Sequence, residues 1–125
     1  MARAFSEILG GRTESNTPET MKQIESEKTL EARLVREIEA RGGMALKYTS
    51  QFHRGIPDRI CLLPYGLIYF VELKSTGKKP TKLQQHALRQ LFDLGFPGYV
   101  IDNTEGLEKF LSLVDYHLKP FVHSA

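Results

Sequence analysis

Asp58, Glu72 and Lys74 are the residues of this sequence whose types and spacing most suggest chemistry. Residues 40–92 carry nine Lys and Arg but only two acids, and those two are Asp58 and Glu72. Pro64-Tyr65-Gly66 lies between two apolar runs and predicts a hairpin with a short connection and a left-handed glycine. With three loop residues, Leu62 faces Ile68, Ile60 faces Phe70 and Asp58 faces Glu72. Facing residues share one side of a sheet, with Cβ atoms about 5 Å apart. Lys74, two residues beyond Glu72, joins them there. Two carboxylates so close repel, and one pKa rises unless a cation intervenes. The simplest such cation is Mg²⁺, a hard ion that binds carboxylate and phosphate oxygens. A two-residue loop would instead put Asp58 on the opposite face and make the pairing an accident.

Two further residues break an apolar pattern. Leu30, Leu34, Val35 and Ile38 recur at helical spacing, and Glu31 falls near the centre of their stripe. A carboxylate on a buried face is costly without a partner, and a cation shared with Asp58 and Glu72 would provide one. Glu27 lies on the same stripe one turn earlier, where the helix dipole at an exposed helix start already accounts for it. Gln84 interrupts a second stripe, of Leu83, Ala87, Leu88, Leu91 and Leu94. It reads either as a satisfied structural amide or as a group serving the site.

The elements that must hold these residues are legible in the pattern. Ser26 predicts a helix N-cap, and Gly42-Gly43 a stop. Met44, Leu46 and Tyr48 alternate with Ala45, Lys47 and Thr49 as in a strand. Strands follow over 58–63 and 67–74, then a basic loop over 75–80. Thr81 caps a second helix that ends at Gly95, and 98–102 is a short strand. Thr104 caps a last helix carrying Leu107, Phe110, Leu111 and Val114. The order α-β-β-β-α-β-α predicts an α/β fold, a mixed sheet of about four strands flanked by helices. Residues 1–25 are polar and read as a flexible arm, with a short helix over Ala2–Leu9 and a loose stretch over Arg12–Thr20.

Pro57-Asp58 followed by Glu72-Leu73-Lys74 resembles the PD-(D/E)xK nuclease signature. Ser26-Glu27-Lys28 through Glu31, Gly42-Gly43, Lys47-Tyr48, Gly55 to Ile60, Phe70 to Lys74 and Leu83-Gln84 occur in the order seen in the VRR-NUC family. The resemblance is to its small stand-alone phage and bacterial members, and it covers about residues 26–113. It divides the chain into an arm (1–25), a nuclease-like domain (26–114) and a tail (115–125). It implies a restriction-endonuclease-like core that hydrolyses DNA phosphodiesters with Mg²⁺ or Mn²⁺. Asp58 and Glu72 would hold one or two ions, with the backbone carbonyl of Leu73 as a further ligand and Glu31 binding directly or through water. Either Glu27 or Glu31 could match the family's helical acid, and the stripe favours Glu31. Lys74 would orient or help deprotonate the attacking water, or stabilise charge on the phosphorane. Gln84 would position the site or a backbone phosphate. Lys47, Arg54, Lys78, Lys79 and Lys82 would hold flanking phosphates, with His53 a lesser candidate.

Composition agrees with this reading. The chain has 125 residues, a length suited to one domain, with 41% hydrophobic and 26% charged residues. Its net charge of +2 conceals a basic middle between two acidic flanks. A polyanionic partner explains that middle, and a solvated basic surface is the plainer alternative. No apolar run approaches a membrane span. The absence of a long apolar stretch at the start, together with the single Cys61, leads us to expect a reducing cytoplasm, or a host cytoplasm for a phage protein. Four scattered histidines and one cysteine argue against a structural zinc site. One catalytic set in so short a chain suggests a symmetric homodimer cutting branched DNA such as four-way junctions, with Phe110, Leu111, Val114 and 116–121 as spare apolar surface. The alternatives are a monomeric nicking enzyme, a nucleic-acid binder without catalysis, and a structural protein whose buried acids pair with Lys74 and Arg59.

Overall fold

A computed structural model describes residues 25–122. The expected arm, with its helix over Ala2–Leu9, lies outside the described residues except for Glu25. The elements are α1 (Glu27–Ala40), β1 (Met44–Lys47), β2 (Arg59–Leu63), β3 (Leu67–Leu73), α2 (Lys82–Asp93), β4 (Gly98–Ile101) and α3 (Thr104–Val122). The strands form one sheet in the order β1-β2-β3-β4. The first three are antiparallel, and β4 runs parallel to β3, so the chain between them must cross over through α2. None of the described helices is long and apolar enough to cross a membrane.

The predicted helix signals operate as local chemistry requires. The Ser26 hydroxyl accepts from the Thr29 N–H at 3.1 Å and caps α1. Thr81 and Gln84 form a reciprocal capping box on α2. The cap of α3 falls one residue earlier than the sequence suggests. Asn103 accepts from the Gly106 N–H at 2.7 Å through its side chain, and from the Leu107 N–H through its carbonyl. Thr104 instead gives its N–H, at 2.7 Å, and its hydroxyl to the Glu25 carboxylate. Glu25 also exchanges backbone and hydroxyl bonds with Thr76, whose hydroxyl donates to the Asp102 carbonyl at 2.8 Å. The start of α1, the exit of β3 and the start of α3 are thereby tied together.

The β2–β3 turn over Pro64–Gly66 has positive φ at Tyr65 (68°) and at Gly66 (77°). The strain of a left-handed tyrosine is offset in part by its ring, which stacks on Phe121 at 4.4 Å. The register is Arg59↔Val71, Ile60↔Phe70 and Leu62↔Ile68, as three loop residues demand.

The sheet has a closed face and an open one. On the closed face, Cys61, Leu63, Tyr69, Val71, Leu73, Tyr99 and Ile101 pack against Leu30, Leu34 and Ile38 of α1 and against α3. Truncating Leu34 or Ile38 to alanine there would cost about 2–5 kcal/mol. Phe110, Leu111, Val114 and Leu118 of α3 lie in this core. They are therefore not spare surface, and the helix continues to Val122 through the segment read as a tail. α2 lies on the other face. Its Leu88 approaches β4 so closely that a Cβ at Gly98 would sit 2.2 Å from it. Of the expected α2 stripe only Ala87 and Leu88 are buried, while Leu83 and Leu94 are exposed. The helix covers the β4 side, and the described residues leave Met44 (56% exposed), Leu46 and Ile68 (48%) open to solvent on the β1–β3 side.

Candidate active site

The site forms at the end of β3 on the open face. Asp58 immediately precedes β2, and its carbonyl accepts from the Tyr48 N–H at 2.8 Å. The observed register, extended by one residue, sets it opposite Glu72. The Asp58 backbone there favours the charged form of Glu72. Glu72 is only 8% exposed. Burial, then the neighbouring Asp58 charge, push its pKa up to about 7, against the pull of Lys74. Lys74 Nζ lies 3.7 Å from Glu72 Oε2. Gln84 Nε2 donates to the same oxygen at 3.2 Å, while Gln84 Oε1 accepts from the Thr81 N–H at 2.9 Å. Gln84 is thus both a satisfied structural amide and a direct partner of the site. Leu73 lies between Glu72 and Lys74 and turns its side chain into the closed-face core.

Lys74 and Gln84 meet one oxygen from opposite ends of a short segment. That segment must loop beside the site, and it carries Lys78, Lys79 and Lys82, all exposed. The Gly77 N–H donates to Asp102 Oδ2 at 3.2 Å and steadies the loop. Arg54 is exposed on the loop between β1 and β2, with His53 beside it.

Glu31 is not brought to Asp58 and Glu72. It pairs with Arg59 Nη2 at 2.5 Å and with Lys47 Nζ at 3.6 Å. The hydrogen bond from Arg59 is the main cause of its lowered pKa. The reason is geometric: Arg59 follows Asp58 by one residue and so points to the other side of the sheet, toward α1. The misplaced carboxylate of the α1 stripe has a resident guanidinium and needs no shared cation. Lys47 is likewise drawn to this pair rather than to the Glu72 side. Glu27 is the helical acid whose charge reaches Glu72, where it helps to raise the pKa. The bonds of Glu25 to Thr76, and of the Glu27 N–H to Ser75 at 3.4 Å, bring the start of α1 to the exit of β3. Among the described residues no three of His, Cys, Asp and Glu form a ready ligand group.

The basic middle is partly spent inside the fold. Arg41 pairs with Glu37 and Asp115, Lys47 and Arg59 with Glu31, and Lys74 with Glu72. The exposed bases nearest the site in sequence are Arg54, Lys78, Lys79 and Lys82.

No family model matches the chain. A protein of Acyrthosiphon pisum secondary endosymbiont phage 1, named "Putative nuclease p44", is 43% identical over 79 residues, spanning 63% of this chain and 85% of that protein. The fold is similar to a solved VRR_NUC domain, with a TM-score of 0.65 over 70% of this chain and 97% of that one, at 24% identity. With 43% identity across most of the phage protein, the chain belongs to the same family as that protein, and its fold is that of a VRR_NUC domain.

Proposed function

We propose that the protein is a Mg²⁺- or Mn²⁺-dependent DNA endonuclease. The observation that carries this reading is the meeting of Asp58, Glu72, Lys74 and Gln84 beside the exposed lysines of the 75–82 segment. The residues fit a hard divalent cation. Two adjacent carboxylates supply oxygen donors, and burial, then the Asp58 charge, raise the Glu72 pKa against the pull of Lys74. Asp58 and Glu72 would hold the ion with the Leu73 carbonyl, and Glu27, rather than Glu31, would supply any helical carboxylate. When bound, such an ion lowers the pKa of water and neutralises charge on the phosphate.

The protein's own groups do the rest. Gln84 fixes the orientation of the Glu72 carboxylate through its bond to Oε2. Lys74 places an ammonium where it can hold the attacking water or stabilise the extra negative charge of the transition state. Lys78, Lys79, Lys82 and Arg54 bind flanking phosphates, which gives affinity without reading sequence.

The finer reading is a homodimer that cuts branched DNA such as four-way junctions. Two-fold symmetry supplies two matched sites. The open apolar face bearing Met44, Leu46 and Ile68 supports self-association, in place of the α3 residues that the core absorbs. Cleavage of labelled four-way junctions, flaps, duplexes and single strands tests the whole reading, with Mg²⁺, Mn²⁺ or chelator, alongside sedimentation. Paired cuts in divalent metal by a dimer are expected. DNA binding without cleavage in either metal would overturn the enzyme assignment. A monomer making unpaired nicks would reject only the dimer.

A further inference from the structure

Phe52 is 94% exposed, the most exposed large apolar side chain among the described residues. It stands at the tip of the loop between β1 and β2, with Gln51, His53 and Arg54 exposed around it. An isolated exposed phenylalanine on a mobile loop would mean little. This loop is braced on both sides. At its base the Tyr48 N–H bonds the Asp58 carbonyl at 2.8 Å, and Pro57 is buried. Near the tip the His53 N–H bonds Ser50 Oγ at 3.0 Å. Gly55 adopts a φ of +87° and presses on the first turn of α2, where a Cβ would lie 2.6 Å from the Leu83 carbonyl oxygen. The loop thus rests on the turn that carries Lys82 and Gln84, and it leads directly into Asp58. The fold holds an aromatic ring outward, both faces open, two residues before Arg54 and six before Asp58.

Resting on the endonuclease reading above, we propose that Phe52 is a base-stacking finger that selects DNA whose base stack is already interrupted. Every base has a π-face, so stacking on an aromatic ring is tolerant of sequence and raises affinity on the order of ten- to a hundredfold per base. In a continuous duplex that face is covered, and exposing it costs unstacking energy. At a bulge, gap or branch the face is already free. Phe52 would take it while Arg54 holds the adjoining phosphate, so the preference for broken stacks arises at the mouth of the cleavage site.

The probe is a duplex carrying one bulged 2-aminopurine, beside the same duplex fully paired. Binding is measured in chelator at low salt so that nothing is cut. Phe52→Ala should weaken binding to the bulged duplex roughly tenfold or more and abolish the fluorescence change of the bulged base. It should leave paired-duplex affinity and the salt slope as they were. Phe52→Trp should restore bulge binding. Arg54→Ala should weaken both duplexes alike and reduce the salt slope by about one. Equal loss on both duplexes with Phe52→Ala, or no loss, would overturn the proposal. So would a change in sedimentation, which would assign the ring to a protein contact. If the unaltered protein binds neither duplex, the endonuclease reading itself falls. If it binds and cuts DNA with Phe52→Ala unaffected, only the finger falls.

Discussion

The closed and open faces of the sheet each hold one glutamate turned toward the protein interior, and the two meet opposite fates. On the closed face, Glu31 has Arg59 and Lys47 against it and its pKa is lowered. On the open face, Glu72 is buried with another carboxylate beside it, and the two together raise its pKa to about 7. The first is compensated by groups the chain carries permanently. The second is compensated incompletely, which costs stability and leaves room for a visiting cation. Two acids of the same type, each facing inward from a strand or helix, thus differ in how fully they are compensated, according to the side of the sheet they occupy.

The sharpest way to break this contrast is substitution on each face. Asp58→Asn and Glu72→Gln should lower cleavage roughly a thousandfold while leaving the fold intact by circular dichroism. Glu31→Gln should do the reverse. It strands the Arg59 guanidinium, itself only 8% exposed, and should cost about 2 kcal/mol with cleavage per folded molecule retained. A well-folded but inactive Glu31→Gln protein would return Glu31 to the chemistry and dissolve the distinction.

A smaller effect should appear in the pH dependence of metal-free stability. Glu72 in the fold keeps its proton to about pH 7, while the unfolded group releases it near the ordinary 4.5. Between those values the native state binds more protons, so stability should fall as pH rises, with the full penalty above 7. Glu31 acts in the opposite sense. Its lowered pKa contributes stability above 4.5 that is lost as pH falls below it. Thermal melts in chelator should therefore peak near pH 4.5–5. Asp58→Asn should soften the decline toward pH 8, and Mg²⁺ should reverse it. A flat profile across pH 5–8 would mean that Glu72 is compensated after all.

The mildest test concerns the open face's surroundings. Replacing Lys78, Lys79 and Lys82 together with alanine should flatten the log-log salt dependence of DNA binding by up to about 2.7. Lys47→Ala, on the closed-face pair, should change it little. An unchanged slope in the triple variant would put the DNA path elsewhere.

Much of this was legible in the sequence, for identifiable reasons. The Pro64-Tyr65-Gly66 turn fixes the register, and the register alone sets Asp58 opposite Glu72. The caps at Ser26 and Thr81 mark the starts of α1 and α2 because side chain and backbone there lie within three residues of each other. The partner of Glu31 is less legible. The stripe shows that Glu31 needs a cation, and Arg59 enters only as one alternative partner of the buried acids, because in sequence it looks the same as a DNA-binding base. Its offset of one residue from Asp58 sends it to the opposite face. The α3 residues Phe110, Leu111 and Val114 read as surplus because sequence does not show how much helix a four-stranded sheet must be given to close one face. The Phe52 finger has a weak signal, one aromatic in a polar loop, and becomes visible only when Gly55 is seen wedged against α2.

The staple at Glu25 carries a consequence in time. Its bonds reach residues 51 and 79 positions along the chain, to Thr76 and Thr104, whereas the strands bearing Asp58 and Glu72 are joined by a turn of three residues. Short loops close first, since each longer closure must be completed before its contacts can reward it. The hairpin that opposes the two carboxylates therefore belongs to the early part of folding, and the docking of the α1 start beside Lys74 belongs to its end. A nascent or partly folded chain would have its acids in register before the last of their surroundings is locked, so the pair acquires its full environment only in the final step of assembly.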